Sequence, residues 1–194
     1  MGVSAVFLVG FMAAGKTSVG QELARRLGWE FIDLDTRIEH RERQSVPEIF
    51  QSRGEPSFRA AETAALCDLT ARLERDSVVA LGGGAFVQEM NRELLRDWPS
   101  VFLEAPVDEL WRRCSEDSAE RPLRNSLDQF NLLYQQRLPF YRQAAVVVDT
   151  SAKDKDISSI CSEIENALQL TGVTACGSPS LSSVHPMKQP GESR

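Results

Sequence analysis

The sequence predicts an α/β fold in which a parallel sheet carries helices on both faces. Three observations predict it. Five short apolar runs recur along the chain, separated by stretches with helical spacing. All but the fourth end in glycine or aspartate, the residue types needed where ligands bind beyond the carboxyl ends of parallel strands. The first run also passes into a helix through residues 10–17, which satisfy G-x-x-x-x-G-K-[ST].

Taken in order, residues 5–10 (AVFLVG) form a continuous apolar run, the mark of a strand covered on both faces. From Lys16 the spacing becomes helical, with Val19, Leu23 and Leu27 on one stripe and Gly28 as the stop. Residues 30–35 (EFIDLD), 77–81 (SVVAL), 100–105 (SVFLEA) and 145–149 (AVVVD) supply four further strands. Helical segments are expected over residues 46–52, 58–73, 91–96, 107–114, 127–141 and 156–170. Residues 114–126 are polar, charged and interrupted by Pro122, which predicts a mobile loop. Residues 171–194 are rich in Gly, Ser and Pro and are expected to be a disordered tail, leaving one domain over residues 1–170.

A net charge of −6 opposes sequence-independent binding of nucleic acid. No apolar stretch reaches the roughly 18 residues of a membrane span. The four cysteines form no CxxC pair and the two histidines offer no metal-ligand spacing, so a cytoplasmic chain without structural zinc is expected.

The chemistry begins at the glycine-rich loop. Gly15 lets successive N–H groups turn inward on a phosphate, and the helix N-terminus adds its positive dipole end. Lys16 brings a mobile charge for the β- and γ-phosphates, and Thr17 a hydroxyl for Mg²⁺. Asp33 and Asp35, read as alternate strand residues, present two carboxylates to one side. That pair could hold Mg²⁺, accept substrate hydroxyls or take a proton, or it could be a helix start with Asp35 as N-cap. Gly82, Gly83 and Gly84 follow a strand, as a loose hairpin or as bare N–H groups for a substrate anion. Most of the arginines read as solvated charges. Two stand out: Arg121, in the polar loop and suited to a lid over phosphates, and Arg137, before Pro139 and Tyr141 at a helix end.

Together these stretches resemble the shikimate kinase family. GFMAAGKTSVG is similar to its phosphate loop, FIDLDTRIE to its D-x-D segment and GEPSFRAAE to its G-E-x-x-F-R-x-x-E segment. LGGGAF resembles the family's glycine triplet, RPL its lid and RLPFY its R-x-P-x-Y signature, all in the family's order. The resemblance implies a three-layer α/β/α P-loop kinase with a five-stranded parallel sheet, a substrate-binding helical segment and a mobile lid. It also implies transfer of the ATP γ-phosphoryl group to the 3-hydroxyl of shikimate by a monomer using Mg²⁺. The amides of Ala13, Ala14, Gly15 and Ser18 would join Lys16 and Thr17 on ATP, with Arg113 on the adenine side. Asp33 would reach Mg²⁺ through water, and Asp35 would orient the attacking hydroxyl. Arg59, Arg137 and the glycine triplet would take the substrate carboxylate, and Arg121 would close on the transferring phosphate.

The chain departs from the family pattern at Ala13, where glycine is common, and at Arg124, where an apolar residue is usual. Two other functions share parts of this set. A gluconate kinase-like enzyme shares the loop and lid but would not need Arg59, Gly83 and Arg137 converging on a carboxylate beside Asp35. A non-catalytic shikimate or ATP sensor should have lost Lys16, an aspartate or the lid arginine, and this sequence keeps all three.

Overall fold

The structure, a computed structural model, describes residues 4–116, 126–151 and 155–170. Five parallel strands form one sheet in the order β2-β3-β1-β4-β5. They are β1 (Ala5–Val9), β2 (Glu30–Asp33), β3 (Ser77–Ala80), β4 (Ser100–Glu104) and β5 (Val146–Asp149). β1 is central, pairing Phe7 with Val79 on one side and with Ser100 on the other, and every one of its side chains is buried. That accounts for a continuous apolar run rather than an alternating one.

Helix α1 (Lys16–Leu27) follows the glycine-rich loop, buries Val19, Leu23 and Leu27, and ends on a left-handed Gly28. After β2 the chain enters α2 (Leu34–Glu42) and then α3 (Val46–Ala71), which opens with a Ser45/Glu48 capping box. α3 joins the two helices expected over residues 46–52 and 58–73 across a kink at Gly54 (φ 76°, ψ 170°). A 3-10 turn (Ala85–Val87) and α4 (Glu89–Leu94) follow β3, and α5 (Val107–Glu116) follows β4. α6 (Leu127–Tyr141) precedes β5, and α7 (Ile157–Leu168) packs on α1.

Several boundaries differ from expectation. β2 ends at Asp33 rather than Asp35, because the Asp33 side chain accepts from the N–H groups of Asp35 and Thr36 and so starts α2. Asp33, not Asp35, is therefore the N-cap, and Asp35 lies in the first helical turn. The ends of the expected loop at residues 114–126 are ordered as well: α5 runs through Glu116, and Ser126 caps α6. Residues 117–125, with Arg121 and Arg124, and the tail at 171–194 lie outside the described residues.

An aromatic cluster ties the phosphate loop to the helices behind it. Phe11 meets Phe130 and Tyr134 edge-on at 4.9 and 5.4 Å, and Phe130 meets Trp111 at 5.1 Å. Phe11 and Phe130 are fully buried, and such a ring contributes about 2–3 kcal/mol through area removed from water. Among the described residues no helix is long and apolar enough to cross a membrane.

Candidate active site

A cavity of about 930 Å³ opens at the carboxyl ends of β1, β2 and β3. It gathers every site residue expected from the sequence that lies among the described residues. One wall is the loop from Ala13 to Ser18, a second carries Asp33 and Asp35, and a third holds Arg59, the glycine triplet and Arg137, with Arg113 also lining it.

The loop wall is built for an anion. α1 has no side-chain cap, so its first N–H groups open toward the loop. Lys16 Nζ donates to the carbonyls of Gly10 and Phe11 at 3.0 and 2.9 Å, which keeps the ammonium over the loop. Thr17 Oγ1 lies 3.3 Å from Asp33 Oδ2, a hydroxyl and a carboxylate side by side. Ala13 adopts φ 60°, the left-handed region that glycine enters without steric penalty.

On the facing wall, Asp35 Oδ1 is buried without a hydrogen-bond partner. Burial, and then the charge of Asp33, push the Asp35 carboxyl above its ordinary range, while Lys16 pulls the other way. Glu62 was not singled out from the sequence, yet it is the most buried acid of the site. Its Oε2 accepts from Arg59 Nη1 at 2.8 Å and from Gln88 Nε2 at 2.9 Å, while its Oε1 has no partner. Burial pushes the Glu62 carboxyl up to about 7 against the pull of Arg59. Its position three residues after Arg59, on one helix face, is the signal the sequence held. Gln88 left no such signal.

The glycine triplet is there for close approach. A Cβ on Gly82 would sit 2.5 Å from Asp35 Oδ1 and 3.0 Å from Glu62 Oε1, and one on Gly84 would overlap the Arg59 guanidinium. Gly83 stands against the phosphate loop, where a Cβ would lie 3.6 Å from the Met12 nitrogen. Its carbonyl accepts from both the Tyr141 hydroxyl and Arg137 Nη1. Burial pushes Tyr141 up to about 12, so it stays a donor. Arg137 also lies over Phe11, 5.8 Å from the ring centre. Val46, Pro47, Phe50 and Phe58 add an apolar face that sequence reasoning did not assign.

A second cavity, about 870 Å³, adjoins the first through Ala14, Gly15, Ser18 and Arg113 and extends to Thr150 and Lys155 beyond β5. Arg113 is held there by Glu109 at 2.8 Å and by the Thr150 carbonyl at 3.0 Å.

Comparison with known proteins agrees with this geometry. The family model for shikimate kinase matches residues 12–169. A shikimate kinase from Bordetella avium is 47% identical over 152 residues, covering 76% of this chain and 71% of that one. The crystal structure of shikimate kinase from Bacteroides thetaiotaomicron superposes with a TM-score of 0.77 at 34% identity, covering 86% of this chain and 99% of that one. Shikimate kinase from Acinetobacter baumannii in complex with shikimate gives 0.77 at 35% identity, covering 86% and 94%. With a P-loop cavity flanked by an acidic and an arginine-bearing wall, and with relatives at this identity over most of their length, the chain belongs to the shikimate kinase family.

Proposed function

We propose that this cavity transfers the γ-phosphoryl group of ATP to the 3-hydroxyl of shikimate, with the residue roles as follows. One observation carries the reading: the phosphate loop adjoins a pocket with a partnerless buried carboxylate oxygen on one wall and Arg59 and Arg137 on another. A ring carrying hydroxyls and one carboxylate is complementary to that arrangement.

ATP lies with its phosphates on the amides of Ala13 to Ser18 and its base in the adjoining cavity beside Arg113. Lys16 turns from its carbonyl partners toward the β- and γ-phosphates. Thr17 and Asp33 fit Mg²⁺, since both offer hard oxygen donors at one spot beside the loop. They would hold it directly and through water respectively, and the ion supplies charge neutralisation on the phosphates. Asp35 accepts the 3-hydroxyl. As the oxygen bonds to the γ-phosphorus and the bond to the ADP oxygen breaks, the hydroxyl proton passes to Asp35. Its raised affinity for a proton suits that task. Arg121 would add charge over the transferring group. Free thiols at Cys67, Cys114 and Cys161 support work in a reducing compartment.

A coupled ADP-release assay comparing shikimate, gluconate and nucleoside monophosphates tests the reading, and shikimate alone should support turnover. Asp35→Asn should lower kcat by about 10²–10⁴-fold while ATP still binds. Equal turnover with gluconate, or a variant that loses only ATP affinity, would refute the assignment.

A further inference from the structure

Arg59 lines the cavity, yet its guanidinium nitrogens are already engaged. Its Nη1 donates to the fully buried Glu62. The backbone of Gly84 crowds the Nη1 and Nη2 side so closely that no Cβ fits there. The remaining edge, Nε with Nη2, is closed by Glu55, whose Oε1 accepts from both nitrogens at 3.2 and 3.1 Å. Arg137 differs, since it gives Nη1 to the Gly83 carbonyl and pairs with no carboxylate among the described residues.

The two carboxylates on Arg59 are unequal. Glu62 is completely buried and also held by Gln88, so separating it from Arg59 would strand a charge in the interior. Glu55 has a side chain 57% exposed to solvent and uses a single oxygen. An exposed pair one helical turn apart yields readily. The guanidinium needs no help from Glu55 to keep its place, because Glu62, Gly84 and the Phe58 ring (5.1 Å) already fix it. The Nε–Nη2 edge is also the fork that a carboxylate takes with two parallel hydrogen bonds.

We propose that Glu55 is a displaceable counter-ion covering the carboxylate-binding edge of Arg59, so that the acceptor's carboxylate binds by exchange with the Glu55 carboxylate. The proposal rests on the reading above that Arg59 receives that carboxylate. Glu55 then determines specificity. An anionic acceptor can take its place on the fork, whereas a neutral polyol leaves it paired. Displaced, the Glu55 carboxylate turns out to water, to which it is already half open at the kink after Gly54.

Titration calorimetry at low salt on the full chain decides the matter, with shikimate and its methyl ester as paired probes. Glu55→Gln should bind shikimate about two- to five-fold tighter, since it removes a competing anion whose pairing is of the exposed kind. Affinity for the methyl ester and for ATP should stay within experimental error. Unchanged or weaker shikimate binding overturns the proposal, as does an equal gain for the ester. Arg59→Gln, run alongside with thermal melts for both variants, separates the two levels. It should weaken shikimate at least ten-fold and spare the ester. If it leaves shikimate affinity intact, the assignment of Arg59 fails. If it weakens shikimate while Glu55→Gln changes nothing, the exchange alone fails.

Discussion

Replacing Glu62 by glutamine should flatten the pH dependence of stability. The Glu62 carboxyl titrates near 7 in the folded chain against an ordinary value of 4.5, because burial outweighs the attraction of Arg59. The native state therefore keeps its proton after the unfolded chain has lost it. Stability from this group is fully present below about pH 4.5 and is lost as pH rises through about 7. Each unit of separation corresponds to about 1.4 kcal/mol, so the whole loss is about 3 kcal/mol. Glutamine cannot titrate, yet it keeps an amide oxygen for Arg59 and Gln88. Urea denaturation of both proteins at steps from pH 4.5 to 7.5 measures the difference. The other ionisable groups are common to the two chains, so their contributions largely cancel in the comparison. The stability of the parent relative to the variant should fall by about 3 kcal/mol across that window. Parallel curves would refute the reasoning, whatever the constant offset between them.

Two further substitutions probe the cavity walls. Gly82→Ala places a methyl 2.5 Å from Asp35 Oδ1 and 3.0 Å from Glu62 Oε1, so the Asp35 carboxylate has to shift from its place on the cavity wall. Overpacking of this kind costs about 1–3 kcal/mol, so kcat/KM for shikimate should drop about five- to 150-fold while ATP affinity holds; parent-like shikimate kinetics would show that the wall yields. Ala13→Gly should be neutral to slightly stabilising. Relief of the left-handed backbone is worth about 1–2 kcal/mol and the added unfolded-state freedom takes back about 0.4–1. A thermal melt lowered by several degrees would mean that the Ala13 methyl packs well enough to offset its strain.

The sheet was legible because its central strands are buried on both faces and so appear as unbroken apolar runs. The phosphate loop was legible because its chemistry is local, carried by backbone and one lysine within eight residues. The end of β2 was not, since Asp33 satisfies the N–H groups of the following turn and ends the strand two residues before the apolar pattern does. Glu62 was hidden for another reason. As a charged residue on a helix it looks solvated, and only the fold brings Gln88 and Gly82 against it. The spacing Glu55, Arg59, Glu62 is plain in the sequence, but which carboxylate is enclosed and which is exposed is decided by the Gly84 backbone and by the kink at Gly54. Arg121, expected from the sequence to act from a lid, lies outside the described residues.

β2 and β3 are neighbours in the sheet, so the helices between them, α2 and α3, form an excursion that leaves one strand and returns to the next. That excursion and its flanks carry Asp35, Arg59, Glu62 and the glycine triplet, whereas the phosphate loop belongs to the turn after β1. On the proposed assignment, donor and acceptor halves of the cavity are thus separate paragraphs of the chain. Variation in the second can re-address such an enzyme to another acceptor without rewriting the first. Arg137 is the exception, reaching in from α6, and the Gly83 carbonyl that it shares with Tyr141 is the stitch that any such revision would have to preserve.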